Sequence, residues 1–283
     1  MDIKKVGVVG GGTMGHGIAQ VVVQSGREAV IVEVSEEKGR EAIARIKSSI
    51  DRFVKKERIS AADAEAALGR ITPTTDLNAV ADCDAVVEAV FEDSDLKRRV
   101  FTQLDSIVRP DALLASNTST IPIVLLGAAT KHPERVVGMH FFNPVALMAL
   151  VEVIKAPAAD EAYVEAARAF AADLGKSPVL TNDVPGFVGN LLMVPFLIDV
   201  IRQYEKGVAS MEAIDEVIKL GFNHPMGPFA LCDLIGLDIV HDMAVSMYEE
   251  TKEPRYYPTN LLKQMVRMGR LGRKTGRGFY SYD

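Results

Sequence analysis

The sequence predicts an α/β fold: a doubly wound sheet domain followed by a smaller all-helical domain. Three observations carry this reading. Short apolar, β-rich runs alternate with longer amphipathic stretches from Lys5 to about Asp183, a glycine-rich loop joins the first run to a helix, and beyond Pro185 only helical periodicity remains. At 283 residues the chain exceeds the usual size of one domain, which suits a division into residues 1–184 and 185–283. Asn182-Asp183-Val184-Pro185-Gly186 marks the expected boundary, where one pattern stops and the other starts.

The expected strands are Val6–Val9, Ala29–Val34, Ala85–Val90, Leu113–Ser116, Val136–His140, Leu150–Ile154 and Pro178–Thr181. The first five are near-continuous apolar runs, the pattern of parallel strands covered by helices on both faces. Between them, Glu36–Lys56 reads as a long charged helix, and Asp95–Val108 places Leu96, Val100, Leu104 and Ile107 at helical spacing. In the second part, Gly189–Tyr204, Met211–Leu220, Gly236–Glu250 and Asn260–Met268 read as helices, the first expected to kink at Pro195.

A hydrophobic fraction of 48% with 25% charged residues is that of an ordinary globular protein, and a formal net charge of -6 argues against a nucleic-acid surface. Cys83 and Cys232 have no paired spacing of the kind used by metal or redox motifs, so no metal is expected. No apolar run reaches the roughly 18–20 residues of a membrane span, and Met1-Asp2-Ile3-Lys4-Lys5 leads directly into a strand. The expectation is a cytoplasmic protein that binds a small ligand, with no membrane or nucleic-acid partner.

Gly10-Gly11-Gly12-Thr13-Met14-Gly15 follows a strand and opens a helix running to about Gly26, the context in which this pattern signals a Rossmann-type dinucleotide site. Gly10 permits the tight turn, Gly12 lets backbone approach a pyrophosphate, and Gly15 lets the helix pack close to the sheet. The amides at the start of the helix then face the phosphates. About twenty residues on, Glu33 ends the second strand, where a carboxylate accepts from a ribose 2′-hydroxyl and repels a 2′-phosphate. This favours NAD, while nearby Lys38 and Arg40 leave NADP open.

His140 closes a strand in Gly138-Met139-His140-Phe141-Phe142-Asn143-Pro144, the end at which open α/β sheets bind ligands. Histidine titrates near neutrality and suits alcohol oxidation, which needs a base for the hydroxyl proton as hydride departs. His16, His132, His224 and His241 lie in helix, loop or turn contexts without that placement.

With these motifs the chain resembles the 3-hydroxyacyl-CoA dehydrogenases over essentially its whole length. The resemblance rests on the glycine loop, Ser116-Asn117-Thr118-Ser119, the His140 segment and Leu150-Val151-Glu152-Val153. It continues through Pro185-Gly186-Phe187-Val188-Gly189-Asn190, His224-Pro225-Met226-Gly227-Pro228-Phe229 and Gly272-Arg273-Lys274-Thr275-Gly276-Arg277-Gly278-Phe279-Tyr280. It implies that His140 is the general base and Glu152, on a neighbouring strand, its carboxylate partner, fixing the tautomer and stabilising the imidazolium. Ser119 and Asn190 are implied to lie beside the reacting carbon and hold the substrate oxygen. Read by itself, Ser119 could equally cap a helix beginning near Ile121.

Glu92, Lys97, Asn143 and Lys274 match positions that contact NAD in the family. Ser49 and Lys56 match contacts to the nucleotide end of coenzyme A, with Lys47, Arg52 and Lys55 adding positive charge. Ala146, Ala149 and Leu191 depart from a proline, a lysine and an arginine common in the family, without removing a proposed catalytic group. The implied activity is oxidation of an (S)-3-hydroxyacyl-CoA thioester by a homodimer that pairs through the helical part. A sugar-acid dehydrogenase of the L-gulonate type shares the fold and the His–Glu pair, and a non-catalytic NAD-binding protein would retain the loop; both stay open at this point.

Overall fold

β1 (Lys5–Val9) lies inside an eight-stranded sheet because the chain builds outward from it in two directions. β2 (Glu28–Val32) and β3 (Ile71–Thr74) extend it on one side; β4 (Ala85–Glu88), β5 (Leu113–Ser116), β6 (Val136–Phe141), β7 (Leu150–Lys155) and β8 (Ser177–Asn182) extend it on the other. The order β3-β2-β1-β4-β5-β6 is the dinucleotide-binding arrangement of a doubly wound sheet. A computed structural model describes residues 1–282, in one unit spanning Met1–Val184 and a second beginning at Pro185.

Pairing is parallel from β3 through β6, as the apolar runs predict, but β6 and β7 are antiparallel. The physical reason is the connection. Residues 142–149 are fewer than the dozen or more that a parallel crossover requires. β8 then returns parallel to β7. The pattern does not reveal β3, because Ile71-Thr72-Pro73-Thr74 is short and contains a proline; at the sheet edge the missing donor costs no ladder bond.

In the first unit the helices are α1 (Gly15–Gln24), α2 (Glu36–Lys55), α3 (Ala61–Leu68), α4 (Ser94–Ile107), α5 (Ile123–Gly127) and α6 (Glu161–Asp173). α2 buries only Gly39, Ala42, Ile46 and Ile50, one stripe at helical spacing, and its other faces stay polar. The buried face of α4 is Lys97, Val100, Phe101 and Leu104, so Leu96 and Ile107 sit at its margins and a lysine takes a core position. The helix expected near Ile121 starts at Ile123, and Ser119 does not cap it. Instead the Asp183 carboxylate accepts from the Ile123 and Val124 amides at 2.8 and 2.7 Å.

The second unit contains α7 (Gly189–Glu205), α8 (Met211–Gly221), α9 (Pro228–Ile235), α10 (Leu237–Thr251) and α11 (Asn260–Arg267) around Val194, Leu197, Ile198, Phe229, Val240 and Met247. α7 continues through Pro195, which has no N–H for the Leu191 carbonyl; Arg255 Nη2 donates to that oxygen at 3.3 Å. Two buried carboxylates tie down the start of α9 and the carboxyl-terminal segment of this unit. Asp215 accepts from the Phe229 and Ala230 amides, and Asp233 from the Phe279 and Tyr280 amides. A Cβ at Gly278 would fall 1.9 Å from Asp233 Oδ1, which explains one glycine of the terminal motif by packing alone. Among the described residues no helix is long and apolar enough to cross a membrane.

Arg135 is wholly buried beside β6 and donates through Nη2 to Asp105 Oδ1 at 2.9 Å and through Nη1 to the Arg109 carbonyl. Burial acts to raise the Asp105 pKa, but donors from Lys131, Arg135 and His132 outweigh it and hold the carboxyl below its usual range. Replacing Asp105→Ala strands the Arg135 charge and should lower unfolding free energy by about 3–5 kcal/mol in urea titrations at neutral pH. Because the folded pKa is depressed, this stabilisation is present above the unfolded value of about 3.9 and lost as pH falls through the folded one. The gap between wild type and variant should therefore narrow in acid.

Candidate active site

The loop between β1 and α1 is crowded at some glycines and open at another. Gly10 has φ +94°, and a Cβ on Gly15 would fall 1.7 Å from the Gly10 oxygen, so the turn and the start of α1 interlock. A Cβ on Gly12 would meet no protein atom within 4 Å. Protein packing therefore does not explain Gly12, whose backbone stays open to a ligand. Gly11, which the spacing rule passes over, packs hardest against α2: its Cβ would lie 2.7 Å from Ala42 Cβ.

The Gly11 amide donates to Glu33 Oε1 at 2.6 Å, and Val34 N donates to Glu33 Oε2 at 3.0 Å, so the acid beyond β2 is held against the loop. No side chain caps α1, whose N-cap is Met14, which leaves the helix amino terminus, with Thr13 just ahead of it, as an anion site. His16 Nδ1–H donates to the Gly12 carbonyl at 2.6 Å, and burial pushes its pKa down, aided by the Arg45 charge.

A polar cluster, buried at Glu88, Lys97 and Ser116 and open to solvent at Glu92, occupies the carboxyl ends of β4 and β5. Glu88, the last residue of β4, is fully buried; its Oε1 accepts from Lys97 Nζ at 2.6 Å and Val90 N at 2.7 Å, and its Oε2 from Ser116 Oγ at 2.7 Å. The Val90 bond also explains why β4 ends four residues in, two short of the apolar run: the Glu88 side chain takes an amide the ladder would otherwise use. Lys97 Nζ also lies 3.3 Å from Glu92 Oε2. Glu92 Oε1 accepts from Thr118 Oγ1 at 2.5 Å, Ser119 N at 2.9 Å and Thr120 N at 3.2 Å. Burial acts to raise the Glu92 pKa, and Lys97 with these donors overrides it, so the carboxyl stays below its ordinary range.

Of the proposed NAD contacts, Lys97 thus faces two carboxylates from inside the protein, and Glu92 binds the turn that carries Ser119. Glu88 and Asn117 went unrecognised in the sequence as site residues. Asn117 Oδ1 accepts from Phe141 N at 3.0 Å, tying the end of β6 to the end of β5. A glutamate inside the otherwise valine-alanine run Ala85–Val90 is a readable signal for Glu88.

Register places His140 of β6 directly opposite Glu152 of β7. Both side chains are buried, 8% and 2% exposed, and His140 Nδ1 lies 2.7 Å from Glu152 Oε2. An ionised carboxylate only accepts, so Nδ1 carries the hydrogen and Nε2 is the ring nitrogen that takes a proton. The Phe142 ring stands 4.6 Å from the imidazole. Asn143 lies on the following loop, exposed, ahead of a cis bond to Pro144. Lys176 Nζ donates to the Val145 and Met148 carbonyls and ties that loop down.

On α2, Ser49, Arg52 and, just past its end, Lys56 recur at spacings that share one face. Lys55, three residues after Arg52, adjoins this face, while Lys47 lies farther round the helix. Lys47 pairs with Asp51 at 3.2 Å, and Lys47, Arg52 and Lys55 line one surface hollow along the helix. In the second unit, Asn190 is the buried second residue of α7, and Lys274 Nζ pairs with Asp238 at 2.6 Å.

Residues 5–184 match the NAD binding domain of 3-hydroxyacyl-CoA dehydrogenase, and residues 186–282 match its C-terminal domain. A 3-hydroxybutyryl-CoA dehydrogenase of Mycobacterium tuberculosis is 47% identical over 282 residues, covering 99% of each chain. The rat mitochondrial hydroxyacyl-coenzyme A dehydrogenase is 42% identical over 99% of this chain and 91% of its own. The crystal structure of an (S)-3-hydroxybutyryl-CoA dehydrogenase from Ralstonia eutropha superposes with a TM-score of 0.95 at 43% identity, covering all of both chains.

The contrast between Gly12 and Gly15 is testable. Gly12→Ala should keep the thermal unfolding midpoint of the wild type while NADH affinity, read by nicotinamide fluorescence, falls at least about tenfold; Gly15→Ala should lose the fold of the first unit, read by circular dichroism. Equal stability loss in both would contradict the assignment of Gly12 to the cofactor.

Proposed function

The chain belongs to the 3-hydroxyacyl-CoA dehydrogenase family of oxidoreductases, and on that premise we propose that it interconverts (S)-3-hydroxybutyryl-CoA and acetoacetyl-CoA with NAD(H). The observation that carries the reading is the buried His140–Glu152 pair at the end of β6. A bound nicotinamide supplies the acceptor for the hydride leaving C3. His140 Nε2 takes the hydroxyl proton in the same step, and Glu152 stabilises the imidazolium through Nδ1–H. In this reading Ser119 and Asn190 are the groups that hold the substrate oxygen.

NAD is the preferred cofactor in this reading. Glu33 is negative where a 2′-phosphate would sit, and the two cations that left NADP open are matched by acids along α2: Lys38 with Glu41 at 2.9 Å and Arg40 with Glu36 at 3.3 Å. Glu92, Lys97, Asn143 and Lys274 are the further cofactor positions. Ser49, Arg52 and Lys56 suit the phosphates of coenzyme A, which favours a thioester substrate over a free sugar acid.

Purified enzyme should reduce acetoacetyl-CoA with NADH, followed by nicotinamide absorbance, and prefer NADH to NADPH. His140→Ala should lower kcat by about 10²–10⁴ with NADH affinity retained. Unchanged turnover in this variant, or a free sugar acid as the better substrate, would overturn the proposal.

A further inference from the structure

Glu88 takes no part in the proposed reaction, yet the polar groups at this end of the sheet are arranged around it. It binds Lys97, Val90 N and Ser116 Oγ, and Ser116 Oγ in turn accepts from Thr118 N at 3.1 Å. From Lys97 the connection passes to Glu92, and from Glu92 Oε1 to the Thr118 hydroxyl and the Ser119 and Thr120 amides. Both routes out of Glu88, through Ser116 and through Lys97, converge on the turn 118–120.

A buried ion pair is a weak device for stability, because an apolar pair of similar volume fills the space at no greater cost. What apolar side chains cannot do is hold a third group by charge. With Glu88 in place, the Lys97 ammonium is fixed at 2.6 Å from one carboxylate and stands at 3.3 Å from the other, so Glu92 is free to spend Oε1 on the turn. Without the Glu88 charge, Glu92 becomes the counter-ion of a buried cation, and closing on Lys97 draws its carboxylate off the Ser119 and Thr120 amides.

We propose that Glu88 is a positioning residue for the reaction: through Lys97 and Glu92 it sets the turn on which Ser119 stands. The proposal rests on the reading in which Ser119 holds the substrate oxygen.

The single variant Glu88→Leu leaves Lys97 with Glu92 as its counter-ion and serves only as a stability reference. The informative protein is the double variant Glu88→Leu/Lys97→Met, in which no buried charge is left unpaired and the unfolding midpoint should return close to that of the wild type. Amide hydrogen exchange at Ser119 and Thr120 should nonetheless accelerate at least about tenfold, because Glu92 has lost the cation that aims it. For acetoacetyl-CoA reduction, kcat should fall by up to about 10²-fold in this variant and likewise in Glu88→Gln, which keeps the Lys97 cofactor position. Wild-type exchange at these amides together with wild-type kcat would overturn the proposal. If the double variant does not fold, Glu88→Gln keeps the volume and removes only the charge; unchanged exchange there overturns it equally. Faster exchange with unchanged kcat would uphold the connection from Glu88 to the turn and overturn the assignment of Ser119 to the substrate, so the two readings fail separately.

Discussion

The antiparallel pairing of β6 with β7 is the constraint on which the proposed chemistry depends. Directly opposed residues of such a pair project to the same face, so the register that sets His140 against Glu152 makes them a hydrogen-bonded couple before any loop is considered. A slip of one residue would send Glu152 to the other face and leave a buried carboxylate without its partner. β8 covers the far side of β7, with Glu152 opposite Val179, so the pair sits within the sheet rather than at its margin. The imidazole is held from behind by strand geometry.

The other functional groups follow the same economy. β1, β2, β4, β5 and β6 run parallel, so their carboxyl ends share one edge. At that edge lie the glycine loop, Glu33, Glu88 with Glu92, Ser116 through Ser119, and His140. The strands behind them are apolar throughout. At this edge of the sheet each buried charge has a partner: Glu88, the last residue of β4, with Lys97, and Glu152, the third residue of β7, with His140. The cost of burying each carboxylate is offset by its partner.

Much of this was legible in the sequence, because the signals were local. Gly10, Gly12, Gly15 and Glu33 follow from a loop whose spacing has a mechanical meaning, and His140 from its place at a strand end. What escaped is non-local. The antiparallel turn of the sheet depends on the length of one connection, and Glu88 on a lysine nine positions away that α4 rotates inward. Gly11 is required by Ala42 on another helix, which no pattern within the loop discloses.

The central claim is that Glu152 fixes the imidazole of His140 with hydrogen on Nδ1, leaving Nε2 to accept the substrate proton. Nitrogen-15 NMR of the protein labelled at histidine reads this directly at a pH where the ring is neutral. The account predicts a pyrrole-type Nδ1 and a pyridine-type Nε2 for His140, with that preference lost in Glu152→Gln. A neutral His140 carrying its hydrogen on Nε2, in the wild type, would contradict it.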